Sequence, residues 1–192
     1  MTVVPYAARQ SRPTGWWGIA LFVSTEAVLF GCLVGSYFYL RFRTSPWPPS
    51  GVPEPKLTLP LVLTGVLVST SALMQVAYTS ARHAQLTVAR TALFVALVVQ
   101  SGYLAMQMHL FVHDLHEFPP SQTAYSSMYF TMLGTHHAHV FIGIALNLWL
   151  FVRLLRGLTN YRLTGLQATT FYWHFVNFVA LVVVGAQLSP RA

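Results

Sequence analysis

Residues 16–40, WWGIALFVSTEAVLFGCLVGSYFYL, form one run without Lys, Arg or Asp. As a helix rising about 1.5 Å per residue, such a run is long enough to cross a hydrocarbon core of about 30 Å. Glu26 stands some ten residues into it, about 15 Å deep. A lone carboxylate at that depth costs several kcal/mol, so it must be protonated, hydrogen-bonded or turned toward a protein neighbour. Polar residues elsewhere fall at depths where they can meet it: His136 and His139 in one apolar run, His174 and Asn177 in another. The chain reads as an all-α bundle around a buried polar layer.

Composition places that bundle in a membrane. Of the 192 residues 55% are hydrophobic and 8% charged, with mean hydropathy +0.55. A soluble domain carries about 25% charged residues. The formal charge of +7 does not argue for nucleic acid, because Lys and Arg of a membrane protein collect at helix ends. Lone Cys32 excludes an internal disulfide and a cysteine metal site; it is expected as a small packing residue on helix 1. Residues 1–14 are polar with Arg9 and Arg12, and the following apolar run is too long for a signal peptide. One membrane domain over residues 1–192 is the simplest organisation.

Five spans follow, at about 16–40, 59–80, 91–112, 125–152 and 168–187. The stretch TSPWPPSGVPEPK, rich in Pro, Ser and Gly, is a loop. SARHAQLTVAR reads as a short basic turn, HDLHEFPPSQTA as a loop holding Asp114 and Glu117, and LLRGLTNYRLTGLQ as a basic loop. Gly65, Ser69 and Ala72, three or four apart on helix 2, are suited to close packing on another helix. With the N-terminus inside, Arg9, Arg12, Arg82, Arg90, Arg153, Arg156 and Arg162 lie on the inner face. Arg41, Arg43, Lys56 and Arg191 lie outside. The bias favours N-inside and C-outside.

Histidine carries the chemical signal, with eight in a chain of four carboxylates. In GTHHAHVFIG, His136 and His139 share a helix face and His137 points elsewhere. The pair suits metal ligands, haem ligands or hydrogen-bonded packing groups, with Glu26 the obvious partner. His109, His113 and His116, spaced by four and three, resemble one box of a di-iron hydroxylase or a group of interfacial histidines. There is no phosphate-binding glycine loop, no HExxH zinc motif and no Gly-x-Ser-x-Gly nucleophile elbow. No catalytic residue and no metal ligand is therefore assigned, and nothing marks a lipid-binding site. The aromatic group Tyr37, Phe38, Tyr39 and Phe42 suits an interfacial belt.

Three stretches together carry a family resemblance: FVSTEAVLFGCLVGSYFYLR, GTHHAHVFIG and YWHFVNFVAL. In order and separation they resemble subunit III of the haem–copper oxygen reductases, the cytochrome c and quinol oxidases, in its five-helix form. The family's Asp after Phe-Val is Asn177 here, the following Trp is Ala180, and helix 2 lacks an Asn-Thr pair at its start. Longer members add two N-terminal helices that help form a lipid-holding cleft. The resemblance implies an accessory subunit with no redox centre of its own, haem and copper lying in partner subunits I and II. It implies packing on subunit I, support of proton uptake, bound phospholipid and residence in a bacterial or archaeal cell membrane. No nucleic acid and no soluble substrate is expected. Glu26, His136, His139, Trp173, His174 and Asn177 match the family's buried polar set. On the residues alone, a stand-alone redox protein using haem b or di-iron and a small transporter with Glu26 as proton site stay open. So does the subunit-III-like partner of nitric oxide reductase. An optical spectrum and metal analysis separate the stand-alone redox protein from the subunit III reading, which expects a colourless, metal-free chain.

Overall fold

A computed structural model describes residues 14–49, 52, 58–157 and 159–188. They form five helices and no strand: α1 (Thr14–Arg43), α2 (Thr58–Arg82), α3 (Leu86–Glu117), α4 (Ala124–Leu155) and α5 (Asn160–Leu188). All five are long and apolar enough to cross a membrane. The N-terminal lead with Arg9 and Arg12, most of the Pro-rich loop with Lys56, and the tail with Arg191 lie outside the described residues.

Every helix outruns its apolar segment. The sequence reading ends helix 3 at 112, but α3 continues through His113 and His116 to Glu117. It starts helix 5 near 168, but α5 begins at Asn160, so most of the expected basic loop is helical. The basic turn after α2 shrinks to residues 83–85, with Ala84 at φ 58°. Hydropathy marks the depth of hydrocarbon, whereas backbone N–H and C=O groups stay paired beyond it, and Arg, Glu and His do not break a helix. The ends have local causes. Pro119 and Pro120 follow α3. Thr123 then caps α4, its Oγ1 accepting from the Ser126 N–H at 3.0 Å while Ser126 Oγ accepts from the Thr123 N–H at 3.1 Å. Arg90 donates through Nε and Nη2 to the Leu154 carbonyl at 3.2 and 2.9 Å, a cation on the negative end of α4. Gly157, at φ 100°, turns the chain into α5.

Helices α2, α3, α4 and α5 form a ring in which each touches the next and α5 closes on α2. Helix α1 lies outside that ring, against α4 and α5. Its loop returns toward the ring: Trp47 packs edge-on against Tyr37 and Tyr125 at 5.5 and 5.1 Å and donates to the Tyr37 hydroxyl at 3.2 Å. Tyr37 is thus buried rather than part of a belt, while Tyr39 and Phe42 are exposed. Up-and-down order sets two ends. One holds the starts of α1, α3 and α5 with the ends of α2 and α4; the other holds the ends of α1, α3 and α5 with the starts of α2 and α4.

Two packing expectations are not met within this chain. Gly65, Ser69 and Ala72 are all exposed. The inward face of α2 is instead Thr64, Leu67, Thr70, Met74, Ala77 and Ala81, at helical three-and-four spacing. A small-residue stripe permits close approach, but it does not say that the approaching helix belongs to the same chain. Cys32 is likewise exposed on α1.

Candidate functional site

The polar layer exists, but it is two seams rather than one cluster. In the first seam Glu26 of α1 meets His139 of α4, Oε2 to Nε2 at 2.8 Å. The other imidazole nitrogen, Nδ1, lies 2.7 Å from the Thr135 carbonyl one turn back. A carbonyl oxygen only accepts, so Nδ1 carries a hydrogen and donates it. Without a second proton, Nε2 is then a lone pair. The short contact with Glu26 therefore holds one proton, either as carboxylic acid to imidazole or as imidazolium to carboxylate. In both forms the pair as a whole is neutral, which is how a carboxyl group is accommodated at this depth. Phe30 packs edge-on against the imidazole at 5.1 Å, and the Tyr172 hydroxyl of α5 donates to the His139 carbonyl at 3.1 Å. The Glu26 side chain keeps 19% of its exposure, so the pair sits at the edge of the chain rather than in its core.

The second seam joins α5 to α2. Trp173 is fully buried, and its Nε1–H donates to Thr70 Oγ1 at 2.8 Å. Thr70 in turn donates to the Leu67 carbonyl at 2.5 Å. One turn on, Asn177 Nδ2 donates to Ser71 Oγ at 2.6 Å and to the Leu67 carbonyl at 3.3 Å. His174 Nε2 faces Gln75 Oε1 at 3.4 Å near the exposed edge. His174 and Asn177 thus bond to α2 and do not meet Glu26: on α5 they turn toward the ring while α1 lies on its other side. Gly143 of α4 fits the indole, because a Cβ there would stand 2.7 Å from Trp173 Cζ3 and 2.8 Å from Cε3. The last glycine of GTHHAHVFIG is therefore the seat of the tryptophan in YWHF.

His136 departs from expectation most. It is 2% exposed, and neither ring nitrogen has a hydrogen-bond partner. Although it shares a broad face with His139, the offset of about 60° that three residues give on a helix is enough to aim it away from α1. His137 is also buried, edge-on to Phe111 at 5.6 Å. His109, His113 and His116 are exposed, as an interfacial group would be. Among the described residues no set of three or more His, Cys, Asp or Glu side chains converges as a metal site would require. Sequence reasoning missed a third link: Asn147 Nδ2 of α4 donates to Gln100 Oε1 of α3 at 2.9 Å, both residues at 0% exposure. Each is a single amide in an apolar run, and no short motif joins positions so far apart. The signal available was the depth of two uncharged polar residues in hydrocarbon.

Known proteins share this arrangement of sequence. The family model described as cytochrome c oxidase subunit III matches residues 11–185. The chain is 31% identical over 174 residues to cytochrome bo(3) ubiquinol oxidase subunit 3 of Pseudomonas aeruginosa, covering 88% of this chain and 80% of that one. Quinol oxidase subunit 3 of Bacillus subtilis is 30% identical over 174 residues, covering 88% and 82%. Cytochrome c oxidase subunit 3 of Bacillus sp. strain PS3 is 31% identical over 173 residues, covering 86% and 79%.

Proposed function

The chain belongs to the cytochrome c oxidase subunit III family, and from that membership we propose that it is the accessory subunit III of a respiratory haem–copper terminal oxidase. In this reading it is a multi-pass protein of a bacterial or archaeal cell membrane, with its N-terminus inside and its C-terminus outside. The redox centres belong to subunits I and II. This chain binds subunit I, stabilises it through turnover and supports proton uptake.

The observation that carries the reading is the lopsided cover of α1. Leu21, Val28 and Tyr39 are 68%, 66% and 59% exposed on the side away from the ring. Glu26, on the same helix, keeps its carboxyl at that edge. A helix attached on one side, with a neutral proton-holding pair at its margin, leaves an apolar face that another membrane subunit can cover. The chemistry of its own groups fits a support role: the pair can hold a proton.

Affinity purification through a tag on this chain, from native membranes in mild detergent, tests the proposal. The expected result is recovery of a haem-bearing complex, together with a colourless chain once the subunits are separated. Recovery of the chain alone, or a separated chain with its own visible absorption, would overturn it. Orientation is read independently: a cysteine at Ser45 in a Cys32→Ser background should react with an impermeant reagent applied outside the cell.

A further inference from the structure

The ring of α2–α5 encloses a cavity of about 260 Å³. Its mouth lies among the start of α2 at Leu59 and Pro60, the end of α3 at Glu117 and the end of α5 at Gln187, at the end of the bundle that holds the α3–α4 turn. From there it runs inward to Tyr103 and His136. His136 stands 12 residues from the start of α4 and Tyr103 stands 14 from the end of α3, so the floor is about 18–21 Å from the helix ends.

Part of the lining is apolar, with Leu110, Leu133, Ala180 and Val183. The rest is polar, and its deepest members are buried: Thr64, Tyr103, Gln107 and His136 are 3%, 4%, 5% and 2% exposed. Nearer the mouth Asp114 accepts from the Tyr129 hydroxyl at 2.8 Å, and Glu117 and His113 stand at the rim. No Lys or Arg lines the cavity. The carboxyl groups of Asp114 and Glu117 are thus the acidic groups of the lining.

His136 forms the floor of the cavity. A neutral imidazole has one N–H to donate and one lone pair to satisfy, and an imidazolium has two N–H groups. Neither nitrogen meets a protein partner. Both nitrogens are enclosed, so the groups that open on the cavity set its contents: Gln107, Tyr103, Thr64, Asp114 and Glu117 offer donors and acceptors that an acyl chain would leave unmet and water satisfies. The volume holds several waters. We propose that this cavity is a hydrated blind channel, open at the α3–α4 end and closed at His136, whose ligand is water and the protons water carries. Its titratable lining is Glu117, His113, Asp114, Tyr129, Tyr103 and His136. Its floor stands three residues before His139 on α4, and neither His139 nor Glu26 lines it. This inference does not depend on the partner proposed above.

Silver ion tests it, because the ion is near the size of water, travels through water rather than hydrocarbon, and binds the thiolate. Single cysteines in a Cys32→Ser background are placed at Ala180 and Leu133 on the cavity. A third, at Phe178, sits two residues from Ala180 but faces lipid, being 61% exposed. The chain is reconstituted with its native complex in sided vesicles, treated with silver, then unfolded and labelled with a maleimide. Silver from the α3–α4 side should protect Ala180→Cys and Leu133→Cys at least about tenfold faster than Phe178→Cys, since a thiol in hydrocarbon does not ionise. Added to the other side it should protect neither. Replacing His136 by Phe, which removes the polar floor, should slow protection of Ala180→Cys, while the unaltered rate at Phe178→Cys reports that the fold is kept. Equal rates at the three cysteines, access from the opposite side only, or access that appears only after lipid is stripped would each overturn the channel.

Discussion

Helix α1 and the ring α2–α5 solve the same problem in different ways. Both bring polar groups to the middle of a membrane. In the ring the polar atoms are locked between helices at almost no exposure: Trp173 on Thr70, Asn177 on Ser71, Asn147 on Gln100. In α1 a carboxyl stands on the outermost helix, held by one contact at 2.8 Å. Only 11% of the most apolar stretch of α1 is buried, against 50% in α5. The ring therefore owes its stability to packing within this chain. Helix α1 is held on one side only, by Val23, Phe30 and Tyr37 packed toward α4 and α5 and by the proton-sharing contact. Disturbing the ring should unfold the chain; disturbing α1 should detach a helix or a partner.

The sharpest break is Trp173→Ala. It removes a 0% exposed indole and leaves the Thr70 hydroxyl without its donor. A loss of about 3–5 kcal/mol is expected, read as unfolding of the isolated chain in mixed micelles. Trp17→Ala on α1, where the ring is 56% exposed, should leave that transition in place. Equal loss from both would end the distinction between the two regions.

Gly143→Ala comes next. The new Cβ would stand 2.7 Å from the indole, and neither the fully buried ring nor the helix backbone has room to yield. About 3 kcal/mol of destabilisation is expected, with the Trp173 fluorescence shifted as its bond to Thr70 breaks. Gly31→Ala on α1 meets nothing within 4 Å and should cost nothing. Two chemically identical changes thus read the two environments directly.

How far the sequence carried this picture depends on what hydropathy and spacing can report. The five spans were legible because nothing but apolar runs of that length satisfies a hydrocarbon core. Helix ends were not, because α3 and α5 continue into the polar layer on residues that only look like loop. The pairing of Glu26 with His139 was legible as depth and rarity. Its exclusion of His136 was not, since three residues of helix separate one facing direction from another. The exposure of Gly65, Ser69, Ala72 and Cys32 could not be read either: a surface made for close packing looks the same whether its partner is the next helix or another chain.

Glu26→Ala should act locally. It leaves His139 Nε2 beside a gap while Thr135 and Tyr172 still hold the rest of that histidine. A cost of about 1–2 kcal/mol is expected, appearing as faster amide exchange in α1 with α2–α5 unchanged. Glu26→Gln keeps a donor for Nε2 and should restore most of the protection, yet it cannot exchange a proton with the imidazole. If turnover of the assembled complex falls in the Gln variant while α1 stays protected, the shared proton has a role beyond attachment. Loss of protection across all five helices would show instead that α1 is part of the core.

The smallest effect on the fold should come from Cys32→Trp. Residue 32 is exposed, and it continues the outward stripe of Leu21, Thr25 and Val28 at spacings of four, three and four along α1. A side chain added there starts from an exposed position, so the isolated protein should change by no more than about 0.5 kcal/mol. In the membrane the consequence depends on what lies beyond. Lipid tails rearrange around a larger apolar group at little cost, because they are fluid and as apolar as the side chain itself. A close-packed protein surface does not, since added volume in a filled interface forces side chains from their rotamers. The proposed contact with subunit I therefore predicts that Cys32→Trp leaves the purified chain folded but lowers its recovery with the haem-bearing subunit. Undiminished recovery of the complex would place the stripe against lipid and move the interface to another face of the bundle.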